Sequence, residues 1–569
     1  MERNALLAFV ISIAILVGYQ MLFESRTPKP RPADEGTSGP AAPPPRGTEA
    51  PAGASNNEGG TGAVGQHPVA APGAEIPKPN LPAIPAAQAE KTPQRPKFGV
   101  PEQKFTVDTD LYTATFSSFG GRLISFTLKK FRLTNEPSSP FLNMVHSEGD
   151  FPLGVQWPSK DGSEVFDDSR VVYSLEGKAG KLHGGATGEL VLRGKGPNGE
   201  NLIKTMRFRG DSYVVDLRVS VAGRGDQRLA LSWTRDAAGK GSRFAGIDGP
   251  AVLVDGKLKA KAAARLDPGE TERHQGDIAW AGYADHYFLA AFAPLGHFQH
   301  EFVARRQGKL GVATLWTAGA GETVDFEVFI GPKRLETLRA AGHHLEGAVD
   351  LGWFSIVARP MLWLLLFIGR FTGNYGWAII ILTVLIKVIL FPINQRQSEA
   401  MKAMQRIQPE LKKIQEKYKD DRETLNKEMM ELYKRHKVNP LSGCLPMVLQ
   451  IPVFIGLYNG LLQSIELRHA PFLGWITDLS QPDRLGTLQL PFVHPAGIPV
   501  LTLLMGLSML VQQRMTPSTG DATQQRMMML MPVVFTVMFV NFPAGLVIYW
   551  FANNVLTIAQ QYVTNRSDT

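Results

Sequence analysis

The hydrophobic residues of this 569-residue chain fall into three successive rhythms. Residues 5–23 are almost continuously apolar, about nineteen residues and so enough to cross roughly 30 Å of hydrocarbon as a helix. No small-x-small cleavage site follows, and the segment 1–23 reads as an uncleaved signal anchor with its N-terminus in the cytoplasm. Residues 24–98 then carry Pro, Ala, Gly, Thr and Glu with almost no large apolar side chain. Such a stretch cannot bury enough surface to offset the entropy of ordering, which predicts an extended, disordered linker.

From 99 to 333 the period is two. Tyr213, Val215, Leu217, Val219 and Val221 alternate with polar or smaller residues, as do Leu229, Leu231 and Trp233, and Val324, Phe326, Val328 and Ile330. Turn signals at Phe119-Gly-Gly, Gly196-Pro-Asn-Gly and Gly249-Pro250 separate the runs. Many short alternating strands predict a large antiparallel β-sandwich. A sugar-processing site on such a scaffold would need converging His and carboxylate groups, whereas Asp285, His286 and Glu272 are scattered.

Beyond 333 the apolar runs lengthen. Residues 334–373 predict connecting and amphipathic helices, in which 353–371 reads either as a span interrupted by Arg359-Pro360 or as a helix lying at the headgroup level. The loop 396–437 holds twelve Lys/Arg against eight Asp/Glu, and the loop 466–490 only two Arg. By the positive-inside rule the first is cytoplasmic and the second exported. With a cytoplasmic N-terminus and an exported sandwich, one crossing fits before the basic loop, so 353–371 lies on the membrane and 374–394 crosses it. The domains expected are a second span within 374–398, a cytoplasmic helical hairpin at 399–438, four more spans within 439–563 and a tail at 564–569. Those four are 440–462, 491–511, 527–541 and 544–560. In the hairpin Met404, Ile407, Leu411, Ile414 and Tyr418 form one seam, and Leu425, Met429, Leu432, Tyr433 and His436 face it after a capping-box start at Asp420 and Glu423. The fold class is thus a polytopic α-helical membrane protein with six transmembrane helices and an exported antiparallel β-sandwich.

The net charge of +8 is modest for this length and does not point to nucleic acid. Cys444 is the only cysteine, so no intramolecular disulfide or Cys-based zinc site can form. No phosphate-binding loop, Gly-x-Ser-x-Gly elbow or His-Glu-x-x-His motif is present, and no catalytic residue, metal ligand or cofactor is expected.

What stands out is Lys387, near the middle of 375–392, in a chain whose apolar spans contain no Asp or Glu. An ammonium at the bilayer centre costs roughly 2.5–3.5 kcal/mol on insertion scales, so it faces a wet cavity or a partner, or it snorkels. Thr383 lies one turn before it on the same face, with Gln450 in the next span and Asn553 and Asn554 in the last. Each has a bland reading as an interhelical hydrogen-bond partner. Together they suggest a hydrophilic intramembrane surface, which also leaves open a channel or transporter with Lys387 as an anion site.

The stretch 376–561 adds motifs: Gly376-Trp-Ala-Ile-Ile-Ile-Leu-Thr383, Val438-Asn-Pro-Leu-Ser-Gly-Cys-Leu-Pro446, Gln450-Ile-Pro-Val-Phe454, Phe472-Leu-Gly-Trp-Ile-Thr-Asp-Leu-Ser480, Met531-Pro-Val-Val-Phe-Thr536 and Phe542-Pro-Ala-Gly-Leu-Val-Ile-Tyr-Trp550. This resembles the YidC-type membrane protein insertases, and the anchor, linker and exported sandwich resemble their Gram-negative form. The resemblance implies an insertase and chaperone of the bacterial inner membrane, not an enzyme, acting as a monomer on nascent membrane proteins in the lipid bilayer. It also implies contact with the Sec translocon and with the ribosome through the cytoplasmic loops. Five helices would form the insertase core around a groove open to cytoplasm and lipid. Lys387 matches the family's basic groove residue, usually Arg, with Thr383, Gln450, Asn553 and Asn554 as hydrophilic neighbours. Lysine keeps the charge but loses the planar two-pronged donor. Ile451 and Phe454 match apolar positions along which a substrate helix slides, with Tyr549 and Trp550 as aromatic contacts. At 550 tyrosine is frequent in relatives, and tryptophan offers only an N–H donor.

Overall fold

The structure, a computed structural model, describes residues 95–566 apart from 148, 160–163, 178–179, 225–227, 238–247, 320, 419–420, 437–444, 490–492 and 516–521. The chain divides into two units, 1–77 and 78–569, and every described residue belongs to the second. The anchor expected at 1–23, the linker to residue 94 and Cys444 lie outside the described residues.

Residues 104–332 fold into sheets of five, nine and six strands. The alternation predicted from sequence sets the register. Val214–Ala222 pairs antiparallel with Thr323–Pro332, placing Val215 opposite Val328, Leu217 opposite Phe326 and Val219 opposite Val324. All six of these side chains are buried in one core that also holds Trp157, Trp233 and Trp280. A slip of one residue would turn that whole set outward, which is why the pattern specifies the pairing. One pairing departs from the antiparallel expectation: Lys104–Thr109 runs parallel to Lys181–Leu182.

Glycines mark the turns at Phe119-Gly-Gly and Gly196-Pro-Asn-Gly, with φ of 69° at Gly120 and 87° at Gly199. Gly249-Pro250 is not a turn. Both residues open the strand Gly249–Val254, and a Cβ at Gly249 would stand 2.0 Å from the Lys261 carbonyl oxygen, so glycine is there for close backbone approach.

A charged cluster crosses the sandwich interior. Asp168 accepts from Lys204 at 2.6 Å, Arg122 at 3.2 Å and the Tyr173 hydroxyl at 3.1 Å, while Lys204 also donates to the carbonyls of Gly120, Gly121 and Leu153. Burial pulls the Lys204 ammonium down to about 8, and the adjoining Asp168 opposes that shift.

The helices begin after Pro332. Helix α1 is Leu335–Ala341 and stops at Gly342, which adopts φ of 79°; a 3-10 turn follows at Leu345–Ala348. Helix α2 is Ser355–Thr372 and ends on the left-handed Gly373. Helix α3, Tyr375–Lys417, starts from Asn374, whose side chain accepts from the backbone of Gly376 and Trp377. It joins the expected span 374–398 and the first arm of the hairpin into one 43-residue helix. Pro392 and Pro409 lie inside it and do not break it.

Helix α4, Arg422–Arg435, completes the hairpin, with Met404, Ile407, Leu411 and Leu432 as the buried seam. Its cap is Asp421, which accepts from Glu423 N and Thr424 N, one residue beyond the expected Asp420. Helices α5 (Leu445–Gln463), α6 (Val500–Met515), α7 (Ala522–Phe539) and α8 (Ala544–Arg566) follow. The span expected at 491–511 becomes helical only at Val500, because Pro495, Gly497 and Pro499 keep the preceding chain irregular. Buried Asp483 then caps α6 from a distance, accepting from Leu501 N at 2.7 Å and the Thr502 hydroxyl at 3.0 Å. Among the described residues, α2 and the 375–395 part of α3 are long and apolar enough to cross a membrane, and α6 and Met529–Phe539 are shorter apolar helices.

Sandwich and helices meet in a polar joint. Arg468 donates to the carbonyls of Arg132 at 2.8 Å and Leu133 at 3.1 Å, with its guanidinium 5.7 Å from the Phe288 ring centre. Arg334 pairs with Glu466 at 3.4 Å, and Ile465 is buried in the sandwich core.

Candidate intramembrane polar site

Helices α2, α3, α5, α6 and α8 share one apolar core that includes Leu362, Ile379, Leu457, Met505 and Val547. With 3.6 residues per turn, Tyr549, Asn553, Thr557, Trp550 and Asn554 of α8 span an arc of roughly 140°. That arc supplies polar partners to three other helices.

Lys387 Nζ on α3 donates to Thr557 Oγ1 at 2.8 Å. The Thr557 hydroxyl in turn donates to the Asn553 carbonyl one turn back, at 2.7 Å. Gln450 Nε2 on α5 donates to the Tyr549 hydroxyl. Asn554 Nδ2 donates to Ser508 Oγ on α6 at 3.0 Å, and Ser508 donates to the Met505 carbonyl at 2.6 Å. Lys387 is half-buried, and no described carboxylate lies within ion-pair distance of it. A neutral hydroxyl therefore meets the ammonium where a fixed counter-ion would otherwise be needed.

The expected hydrophilic set separates by depth. Lys387, Gln450 and Asn553 are half-buried. Thr383 and Asn554 are buried at 1% and 3% exposure, and the Thr383 hydroxyl donates to Ile379 O of its own helix at 2.7 Å. Thr383 is thus satisfied within α3 and does not line an open surface beside Lys387. Thr557 and Ser508 were not singled out from the sequence, because a lone hydroxyl in an apolar helix ordinarily serves its own backbone.

The apolar and aromatic set also divides. Ile451 is 45% exposed on the outside of α5. Phe454 and Trp550 face one another edge to face at 4.9 Å, and Phe535 and Phe539 of α7 complete a box around the indole at 5.6 and 5.2 Å. Such pairs add about 0.5–1.5 kcal/mol each beyond their buried area. Tyr549 was expected among these contacts but is buried, with its hydroxyl on Gln450, so it belongs to the polar side. The Phe535 and Phe539 pair was missed, although its i, i+4 spacing is a readable signal.

In the sandwich each candidate is committed to its own partner. Asp285 pairs with Arg235 at 2.9 Å, Glu272 with His274 at 2.9 Å, and His286 Nε2 contacts the Leu462 carbonyl. Among the described residues no cluster of three or more His, Cys, Asp or Glu could hold a metal.

Comparison with known proteins agrees across the chain. Residues 367–569 match the family described as 60Kd inner membrane protein, and residues 104–364 match the YidC periplasmic domain. A Membrane protein insertase YidC from Pelobacter propionicus is 38% identical over 581 residues, covering 100% of this chain and 99% of the relative. One from Geobacter sulfurreducens is 39% identical over 486 residues, covering 81% of this chain and 86% of the relative. Among solved structures, an active YidC insertase with its first transmembrane domain resolved aligns over 84% of this chain and 96% of its own at 16% identity, with a TM-score of 0.36.

Proposed function

The chain belongs to the YidC family of membrane protein insertases, and from that premise we propose that the polar contacts centred on α8 form the hydrophilic path by which a substrate's polar end enters the membrane. The protein is an inner-membrane insertase with a periplasmic β-rich domain and a helical membrane core. Its activity is insertion of membrane proteins into the bilayer, without enzymatic turnover. The insertase names of its relatives do not favour the channel or transporter reading.

The observation that carries the site assignment is Lys387, whose only described polar contact is the Thr557 hydroxyl. A substrate carboxylate offers this ammonium a stronger, charge-assisted bond than a hydroxyl does. Lys387 draws an acidic tail inward, and Gln450 and Asn553 exchange hydrogen bonds with backbone and side chains that would otherwise enter hydrocarbon unsatisfied. Thr383, Tyr549 and Asn554 act one layer deeper, holding the helices and side chains that present this path.

The substrate's apolar span moves along the outer side of α5 and α7, over Ile451 and the box of Phe454 and Trp550. Burying that span provides the net driving force, and the membrane potential adds roughly 2.3 kcal/mol per charge per 100 mV for an acidic tail. The proposal includes six spans with a cytoplasmic N-terminus, α2 lying along the periplasmic surface, and the hairpin of α3 and α4 in the cytoplasm. That placement leaves the hairpin facing ribosome and emerging chain, and the periplasmic loops open to the Sec translocon, with one copy of the chain sufficient. Trp353 just before α2, and Arg359 and Trp363 on it, support its surface position.

The test is crosslinking from a photoreactive residue at 387 to a stalled nascent membrane protein. Adducts to the substrate's polar tail, together with adducts from 451 to its apolar span, are expected. Equal labelling of tail and span from both positions would overturn the separation into a polar path and an apolar slide.

A further inference from the structure

Between the sandwich and α2 lies a cavity of about 550 Å³, within the range of small-molecule sites. One wall is a stripe of α2 in which Arg359, Trp363, Leu366 and Arg370 recur at helical spacing. The other walls bring Arg339 from α1, Glu346 from the 3-10 turn and Asp277 from the sandwich edge. Arg370 is paired with Glu336. Arg339, Arg359 and Asp277 make no side-chain hydrogen bond or ion pair among the described residues, and Glu346 meets only His344 at 3.9 Å. The cavity therefore offers two guanidinium groups without a close ion-pair partner, Arg339 acting on Glu336 only through its longer-range field, and two carboxylates, a balance that suits neither a simple anion nor a simple cation. On the α2 wall Trp363 and Phe367 stack at 5.7 Å, and Phe371 continues the row beyond the cavity, all three more than half exposed.

We propose that this cavity binds the headgroup of a zwitterionic phospholipid bearing a primary amine, with Arg359 and Arg339 on the phosphodiester, Asp277 and Glu346 on the ammonium, and the acyl chains along Trp363, Phe367 and Phe371. Guanidinium groups match phosphate oxygens in geometry and charge, and an ammonium with N–H donors satisfies carboxylates that a quaternary amine cannot. The aromatic row is the kind of surface that sits at the headgroup boundary. The inference rests on the reading of α2 as a periplasmic surface helix.

Full-length protein is reconstituted in vesicles containing a trace of phosphatidylethanolamine with a photoreactive acyl chain, and labelled peptides are mapped. Labelling of 359–371 is expected to be displaced by unlabelled phosphatidylethanolamine about tenfold more effectively than by phosphatidylglycerol or phosphatidylcholine. Asp277→Asn and Glu346→Gln are each expected to remove most of that preference. Equal displacement by all three lipids, or an unchanged preference in both variants, overturns the proposal. A nitroxide at Ile356→Cys in a Cys444→Ala background reports separately on α2. A lipid-exposed label without headgroup preference overturns the lipid site alone, and a water-exposed label overturns the surface placement with it.

Discussion

Lys387 Nζ reaches Thr557 Oγ1 at 2.8 Å across 170 residues of sequence, so the one cation in the span 375–395 is held by a neutral hydroxyl. The hydroxyl orients the ammonium and leaves its charge uncompensated, which is the arrangement a transient acidic partner requires. Lys387→Arg is expected to support insertion of a single-span substrate with an acidic tail. Lys387→Glu reverses the charge facing that tail. Since a unit-charge pair at 4 Å is worth about 4 kcal/mol at an effective dielectric near 20, even a third of that predicts about a tenfold slower insertion. Protease protection of the substrate in reconstituted vesicles measures this, and equal insertion by both variants would remove the electrostatic part of the mechanism.

Asn554 and Ser508 tie α8 to α6 through a buried bond of 3.0 Å. Hydrogen bonds between membrane helices average about 0.6 kcal/mol in double-mutant cycles and reach about 1.7. Asn554→Leu, Ser508→Ala and the double variant are expected to show coupling in that range when unfolding is followed in mixed micelles. Coupling near zero would mean that each side chain serves only its own helix.

How much of this was legible depends on whether the information was local. Val215, Leu217 and Val219 alternate, and their partners Val328, Phe326 and Val324 do the same, so strands and faces could be read directly. Lys387 was legible because a charge in an apolar run is conspicuous by itself. Thr557 was not, since its meeting with Lys387 depends on the register of α3 against α8. Tyr549 was placed on the aromatic side for its ring, while the fold uses its hydroxyl. The continuity of α3 was hidden because charge begins where hydrophobicity ends near Asn394, and a change of environment was taken for an end of structure. Gly249-Pro250 misled for the opposite reason: a strong local turn signal was overridden by the packing of Gly249 against Lys261.

Arg468 ties the helical core to the sandwich. Its guanidinium satisfies two carbonyls, of Arg132 and Leu133, at 2.8 and 3.1 Å. A lysine cannot reproduce that fork, and leaving a polar group unsatisfied costs about 1–3 kcal/mol where it stays buried. Arg468→Lys and Arg468→Ala are therefore both expected to speed hydrogen exchange at 132–135 and 465–470, with strand Val214–Ala222 unchanged. Acceleration throughout the sandwich would instead show that the loop stabilises the whole domain.

The sandwich carries a pH dependence whose sign follows from His300. This side chain is buried on strand Gln299–Gln307 with Nδ1 3.2 Å from Thr317 Oγ1, and burial pushes its pKa down to about 4, opposed only by Asp277. A free histidine titrates near 6.5, so between pH 6.5 and 4 the unfolded chain binds the proton that the folded one refuses. Stability from this group is complete above pH 6.5 and is lost as the pH falls through that window. At pH 5 the loss amounts to about 2 kcal/mol, from 1.36 kcal/mol per unit over one and a half units. His146 and His286 are lowered by burial as well and act in the same direction. Full-length protein is expected to show faster exchange in Gln299–Gln307 and Leu310–Ala318 at pH 5 than at pH 7, after correction for intrinsic rates. His300→Gln keeps a polar group for Thr317 but cannot titrate, so it flattens the part of the curve that belongs to this site. A variant as acid-sensitive as the parent would assign the effect to the other two histidines.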